Sequence, residues 1–149
     1  MRYLLALCIL SLVSASQYPL PDGLWEARLP AKSSPLVQKV ELQFMTKPAK
    51  NTKYHIRDIQ GTLTLYYRNG KKELRPLKGI VLHDQSIMLS DGFYRQTYSA
   101  AGIERCSWSF QLVPQASGLE CRGGFQARRS EKEECFYGMA SFKKVVPRV

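Results

Sequence analysis

The sequence is poor in the residues from which enzymes assemble active sites. Its only histidines are His55 and His83, and it has no His-x-x-x-His or Cys-x-x-Cys spacing that would suit a metal ion. Ser141 and Lys144 match a Ser-x-x-Lys pattern, but that pattern works at the start of a helix and here falls in a strand-like segment. Because no set of nucleophile, base and orienting group can be assembled, we predict that the protein is not an enzyme and has no cofactor or metal.

The sequence also lacks segments of helical period, and it has no long apolar run after its first fifteen residues. Residues 1–15 combine a short basic start, an apolar run at 4–13 and the small-residue site Val13-Ser14-Ala15, which is typical of a secretory signal peptide. The alternative is an anchored N-terminus. We predict cleavage before Ser16, a single domain over residues 16–149, no membrane span in the mature protein, and a secreted or periplasmic location.

What the sequence has instead is alternation of apolar and polar residues, most clearly within residues 103–145. Such alternation is typical of a strand with one buried face. The residues predicted to face inward are Cys106, Trp108, Phe110 and Leu112 in a first strand and Leu119, Cys121, Gly123, Phe125 and Ala127 in a second. A third segment, 135–145, alternates less cleanly, and the three together predict consecutive antiparallel strands.

Further strands are predicted at 23–29, 37–45 and 54–68, where the same period recurs. Gly61 interrupts the last of these segments and predicts a bulge or a sharp bend. Pro76 predicts an edge or an irregular strand end, because proline cannot donate to a strand ladder.

Two dipeptides predict hairpins. Asn69-Gly70 predicts a type I′ turn, since both central positions of that turn have positive φ. Asp91-Gly92 predicts a second hairpin between residues 87–89 and 93–95. Eight or so short strands with tight turns predict an all-β barrel or sandwich, and short connections favour an antiparallel up-and-down β-barrel. The interior of eight strands is either just filled by side chains or large enough for one small ligand.

Cys106, Cys121 and Cys135 are the cysteines that remain after cleavage at residue 15. In an oxidising compartment, an odd number predicts one disulfide plus one thiol that is buried or pairs with another chain. A turn centred on Pro114 would bring Cys106 and Cys121 onto neighbouring strands, so we rank that disulfide first, narrowly ahead of the two pairings with Cys135. Three buried thiols are the alternative to any disulfide.

The tripeptide Gly23-Leu24-Trp25 resembles the Gly-x-Trp signature at the first strand of the lipocalins, and avidin-like barrels start in a similar way. The resemblance implies a calycin-like barrel in which Trp25 closes the floor. It also implies a basic residue near the chain end that packs across Trp25, for which the candidates are Lys143, Lys144 and Arg148. We therefore expect Trp25 to be buried, with Glu26 and Arg28 facing solvent.

Lysine and arginine outnumber aspartate and glutamate by 22 to 12. Residues 46–53 are predicted to be a basic loop that carries Lys47, Lys50 and Lys53. Such an excess favours anionic partners such as lipid head groups, acidic polysaccharide, nucleic acid or an acidic protein, although it also serves solubility. Nucleic acid is disfavoured because the protein is predicted to be exported, and Tyr66, beside Arg68 and Lys72, fits a stacking residue only weakly.

Two functional hypotheses follow from these patterns. The first is an exported, non-enzymatic barrel that holds a small, partly apolar ligand among the inward aromatic residues Tyr67, Tyr98, Trp108 and Phe125. The alternative is a solid-cored module that binds an anionic envelope component or a protein partner through Lys47, Lys50 and Lys53. An interior cavity with polar groups would favour the first hypothesis, whereas a packed interior and a clustered basic face would favour the second.

Overall fold

A computed structural model of the chain describes residues 20–91, 106–129 and 134–148. These residues form eight strands: β1 (Gly23–Arg28), β2 (Val37–Pro48), β3 (Arg57–Tyr67), β4 (Lys72–Val81), β5 (Ile87–Ser90), β6 (Ser107–Pro114), β7 (Glu120–Arg128) and β8 (Glu134–Lys144). Each strand pairs antiparallel with the next, and β8 pairs with β1, so the sheet closes into a barrel. The predicted all-β, up-and-down barrel of about eight strands is confirmed.

The barrel interior is filled by the apolar half of each alternating strand. In β6, Trp108, Phe110 and Leu112 are buried while Gln111 between them is exposed, as the sequence alternation predicts. In β1, Trp25 is buried, and Glu26 and Arg28 face solvent, which is also as predicted. The prediction for Leu119 is wrong, because this residue lies in the β6–β7 turn and is exposed.

The Asn69-Gly70 hairpin joins β3 to β4, but its turn type differs from the prediction. Only Gly70 has positive φ, at 89°, and its N–H donates to the Tyr67 carbonyl at 3.1 Å. The Tyr67 N–H donates to the Lys71 carbonyl at 2.8 Å. This is a type I turn followed by a left-handed glycine, the common three-residue hairpin loop, so one positive φ is sufficient.

The second predicted hairpin is not formed by β5 as expected. β5 pairs with β4 on one side and with β6 on the other, so its partner is residues 109–112 rather than 93–95. Asp91 is 1% exposed and hydrogen-bonded to β6, whereas Gly92 and residues 93–95 lie outside the described part of the chain. Both edges of β5 are already paired, with β4 and with β6, so residues 93–95 cannot be its hairpin partner in the barrel sheet.

Two residues are predicted to interrupt strands, Gly61 and Pro76, and neither of them ends a strand. The β2–β3 register passes Gly61 without a bulge, and a Cβ at this position would overlap the backbone of Gln43. Pro76 lies inside β4 opposite Thr62 of β3. β5 pairs with residues 78–81 of β4, and residues 92–105 lie outside the described part of the chain. The predicted strand end at Pro76 is therefore wrong, while its predicted edge position stays a prediction.

The disulfide joins Cys106 to Cys135, and the first-ranked pairing of Cys106 with Cys121 is wrong. The β6–β7 turn occupies residues 115–119, with Gly118 at a φ of 69°, so Cys121 lies opposite Pro114 at the turn end of the hairpin. Cys106 lies before the other end of β6, next to the start of β8. A turn centred about three residues later than predicted therefore separates the two cysteines.

Cys121 is a buried free thiol, and burial raises its pKa to about 12. The Cys106–Cys135 disulfide is consistent with an oxidising compartment. The predicted signal peptide and its cleavage site before Ser16 lie outside the described residues. Over the ranges that are described, no helix is long and apolar enough to cross a membrane.

Candidate binding surfaces of the barrel

Two of the four predicted ligand-binding aromatics, Trp108 and Phe125, lie in the barrel core. Trp108 stacks on Phe125 with ring centroids 5.8 Å apart, and Phe136 meets the same indole edge-on at 5.1 Å. Trp108 and Phe125 are only 1% and 2% exposed. The structure thus brings these two predicted residues together, in a cluster whose members contact one another.

The other two predicted ligand residues are placed differently. The Tyr67 ring is partly buried at the end of β3, and its hydroxyl donates to Glu73 Oε2 at 2.7 Å. Tyr98 lies outside the described residues. Tyr67 therefore belongs to a group of polar side chains at one end of the barrel. The alternation of the strand predicts that Tyr67 faces inward, but it does not predict whether the ring lies in the core or at an end.

This polar group is centred on Arg75, which is buried inside the barrel wall. Its Nε donates to Glu73 Oε1 at 3.0 Å, and its Nη1 donates to Asp91 Oδ2 at 2.7 Å and to the Cys106 carbonyl. Asp91 also accepts hydrogen bonds from Ser107 Oγ at 2.8 Å and from the Trp108 backbone N–H at 2.9 Å. Sequence analysis missed this network, although Arg75 shares the inward parity of buried Leu77 in β4.

The network joins β4 to the start of β6, which are not paired with each other in the described ladders. β5 has four residues, so β4 and β6 extend beyond it on the same side, and Arg75 connects β4 to Asp91 and to the backbone just before β6. Burial lowers the pKa of Arg75, but hydrogen bonds to Glu73 and Asp91 outweigh this effect and raise it, which keeps the guanidinium charged. We refer to this region, with the adjacent Cys106–Cys135 disulfide, as the disulfide end.

The opposite end of the barrel is closed by Trp25. Its indole Nε1 donates to the Pro21 carbonyl at 2.7 Å, and Lys144 Nζ lies 5.7 Å from the centroid of its ring. Among the three basic candidates, Lys144 therefore takes the place that the calycin-like resemblance implies. We call this region the closed end; it comprises residues 20–25, 46–58, 81–87, 113–122 and 142–148.

Hydrogen bonds link the segments of the closed end around its rim. Thr46 Oγ1 donates to Asp22 Oδ1 at 2.7 Å, which ties the lead-in to β2. The Val145 N–H donates to the Leu24 carbonyl at 2.8 Å, and the Lys144 N–H donates to the Leu119 carbonyl at 2.9 Å. The lead-in, the exit from β8 and the β6–β7 turn thus form one continuous surface with the end of β2.

Each of the eight carboxylates whose side chains are described in residues 20–91 and 106–129 is engaged within the protein. The ion pairs join Lys39 to Glu26 and Glu41, Arg75 to Glu73 and Asp91, Arg122 to Glu120, and His55 to Asp58, while Asp22 bonds to Thr46 and Asp84 bonds to Ser86. By contrast, Lys47, Lys50 and Lys53 are exposed and have no carboxylate partner among the described residues. The positive charge of these lysines is available to an outside partner.

The predicted basic loop is shorter than expected. Lys47 lies in β2, which continues to Pro48, and its exposed side chain projects from the outer wall. There it flanks, with Lys78, a depression of about 610 Å³ on the outer face of β2, β3 and β4. Lys50 and Lys53 lie in the β2–β3 loop as predicted. The three lysines therefore extend from the wall onto the closed end.

Tyr66, the one residue that suggested base stacking, is engaged by its own chain. Lys39 Nζ and Lys72 Nζ lie 4.2 Å and 5.4 Å from the centroid of its ring. Its hydroxyl donates to Glu41 Oε2 at 2.9 Å, and a hydrogen bond to the same carboxylate raises the pKa of Lys39. A base could stack on this ring only by displacing these contacts.

No metal-ligating cluster of three or more His, Cys, Asp or Glu side chains occurs among the described residues. The chain matches no protein-family model, and no curated protein and no solved structure is significantly similar to it.

Proposed function

We propose that the protein is an exported, non-enzymatic binding module with a packed interior, and that it binds an anionic partner through its outer surface. The observation that carries the proposal is the distribution of charge pairs. The eight carboxylates described in residues 20–91 and 106–129 bond to groups of the protein itself, whereas Lys47, Lys50 and Lys53 are exposed and have no ion-pair partner among the described residues. An unpaired cluster of one sign attracts ligands of the opposite sign over several ångströms.

The packing of the interior supports the same proposal. The space that a small apolar ligand would need is occupied by Trp108, Phe110 and Phe125. The ring of Trp108 stacks on those of Phe110 and Phe125. A ligand site inside a barrel is typically a cavity with a few convergent polar groups. The inward polar group observed here, Arg75, is already bonded to Glu73 and Asp91.

Export is part of the proposal. It is supported by the signal-peptide pattern of residues 1–15 and by the Cys106–Cys135 disulfide, which an oxidising compartment would maintain. Kinship with the lipocalins is supported only by Gly23, Trp25 and the packing of Lys144 across the indole ring. The proposed function does not depend on that kinship.

The test is binding of the purified protein to dextran sulfate, a polyanion without apolar groups, at low and high salt. We expect binding to weaken steeply with salt, because exposed charges are screened over about 8–10 Å near physiological ionic strength. The triple variant Lys47→Glu, Lys50→Glu, Lys53→Glu should lose this binding. The matched control Lys32→Glu, Lys71→Glu, Lys72→Glu changes the net charge equally away from the closed end and should retain most of it.

Two results would overturn the proposal. Equal loss of binding in both triple variants would mean that overall charge, rather than this cluster, attracts the polyanion. The second result comes from adding fatty acid to a Trp25→Phe variant, in which Trp108 is the only source of tryptophan fluorescence. A fluorescence change that persists at high salt would support an interior ligand, because apolar burial is not weakened by screening.

A further inference from the structure

The closed end carries exposed apolar side chains together with its cations. Tyr54 in the β2–β3 loop, Leu119 in the β6–β7 turn and Val146 after β8 are 70%, 52% and 62% exposed. They come from three separate segments, and the hydrogen-bonded rim places these segments at the same end of the barrel. Exposed apolar groups rimmed by polar residues mark a contact surface for a protein or a membrane.

The charge of the closed end is strongly one-sided. It contains eight cationic side chains and four carboxylates, a net charge of +4, with the cations at Lys47, Lys50, Lys53, Arg57, Arg122, Lys143, Lys144 and Arg148. The carboxylates of Asp22, Asp58 and Asp84 are bonded to Thr46, His55 and Ser86. Glu120 bonds to Arg122 and Ser141, which lowers its pKa. Within the described structure, Arg122 is the one lysine or arginine of the eight that forms an ion pair.

Apolar and cationic residues are neighbours at two places on this surface. Lys53 Nζ lies 5.0 Å from the centroid of the Tyr54 ring, and Leu119 is hydrogen-bonded to the backbone of Lys144. A tyrosine ring with its polar hydroxyl suits the level of lipid head groups, and a lysine beside it can extend its ammonium towards phosphate. A soluble polyanion would use the lysines but would gain nothing from Tyr54 or Leu119.

We propose that the anionic partner is a lipid bilayer and that the barrel docks on it with the closed end. This inference rests on the proposed function and specifies its ligand. Tyr54, Leu119 and Val146 enter the interface between head groups and acyl chains, while Lys47, Lys50 and Lys53 contact anionic head groups. The strands remain outside the bilayer, because the outer wall carries charged residues such as Glu26, Glu41 and Lys78.

The test is co-sedimentation of the full protein with phosphatidylcholine vesicles that contain or lack phosphatidylglycerol, beside the dextran sulfate measurement. We expect binding only when phosphatidylglycerol is present. The triple lysine reversal should weaken it on the order of a hundredfold, since each lysine near an anionic surface contributes a several-fold factor. This arm alone would not distinguish a bilayer from another polyanion.

The distinguishing variant is Tyr54→Ser with Leu119→Ser. It should weaken vesicle binding about tenfold or more, because apolar burial is lost, and should leave dextran sulfate binding unchanged. The matched control is Tyr137→Ser with Leu74→Ser, which removes a tyrosine and a leucine of similar exposure from the outer wall. The control should bind vesicles as the unmodified protein does.

Each other outcome counts against the inference in a recognisable way. If the unmodified protein binds dextran sulfate but not anionic vesicles, the bilayer inference is wrong and the proposed function stands. If the serine variant at the closed end and its control bind vesicles equally well, docking through Tyr54 and Leu119 is wrong. If neither polyanion nor vesicles are bound, the proposed function falls as well.

Discussion

The two ends of the barrel use charge in opposite ways. At the disulfide end, Arg75 is buried and forms ion pairs with Glu73 and Asp91. These contacts connect β4 to the region beside β6, beyond the last paired residue of β5. At the closed end, Trp25 is buried, and of the lysines and arginines there only Arg122 has an ion-pair partner among the described residues. A basic sequence can thus contain cations that hold the fold together and cations that are free to bind a partner. Whether a cation has a carboxylate partner in the folded protein, rather than its position in the sequence, distinguishes the two kinds.

Two substitutions share the largest expected effect, and the first is at the disulfide end. Asp91→Ala would leave the buried guanidinium of Arg75 without one of its charge partners and would also remove the acceptor of the Trp108 N–H. We expect the free energy of unfolding to fall by about 3–5 kcal/mol, measured by urea denaturation. The double variant Arg75→Met, Asp91→Leu removes both charges and should lose less than Asp91→Ala alone. If Asp91→Ala lost less than about 1 kcal/mol, the Arg75–Asp91 ion pair would behave as an exposed ion pair does, and the two ends would not differ in their use of charge.

At the closed end, the corresponding effect is apolar. Trp25→Ala should lower the free energy of unfolding by about 3–5 kcal/mol, because a large buried side chain is replaced by a cavity. Trp25→Phe retains a ring and should cost less. The urea transition of each variant measures the loss. If Trp25→Ala changed stability by no more than about 0.5 kcal/mol, Trp25 would behave as a surface residue and would not be the floor of the barrel.

The disulfide provides a smaller and separable contribution. The variant Cys106→Ala, Cys135→Ala should lose about 2–4 kcal/mol, because the cross-link restricts the unfolded chain. The unmodified protein in reducing agent should unfold at nearly the same urea concentration as this variant. Cys121→Ala is the control, since it removes a buried sulfur without removing a cross-link. Equal sensitivity of Cys121→Ala and the double variant to reducing agent would contradict the assigned pairing.

The smallest expected effect is in the β3–β4 hairpin. Gly70→Val places a β-branched residue at a φ of 89° and should cost about 1–2 kcal/mol in thermal unfolding. Asn69→Asp should stay within about 0.5 kcal/mol, because Asn69 has no positive φ and aspartate keeps an acceptor for the Lys71 N–H. Similar losses for both substitutions would show that the turn is not of the observed type.

The barrel itself could be predicted from the sequence, because alternation reports directly on which side of a strand is buried. Cys106, Trp108, Phe110 and Leu112 are all buried as their spacing predicts. The closing Trp25 was also predictable, since Gly23-Leu24-Trp25 begins the first strand and Lys144 is one of three basic candidates near the chain end. These features depend on local period and on a short motif.

Features that depend on register or on long-range side-chain contacts could not be predicted in the same way. A turn placed about three residues too early exchanged Cys121 for Cys135 as the partner of Cys106. Arg75 could have been assigned inward by its parity with Leu77, but its partner Asp91 resembled a turn residue because Gly92 follows it. The unpaired state of Lys47, Lys50 and Lys53 depends on where every carboxylate lies, which only the folded chain reveals.

The shortness of β5 determines how the native barrel fluctuates. The β4–β5 and β5–β6 ladders have four paired positions each, whereas the β2–β3 ladder has eleven. Local opening of a strand must break all its paired positions together, so opening β5 should cost less free energy than opening β2 or β3. The amides of β5 should therefore be less protected from exchange with solvent deuterium. We expect these amides to exchange before those of β2 and β3, and the Arg75–Asp91 ion pair to slow the opening of β5.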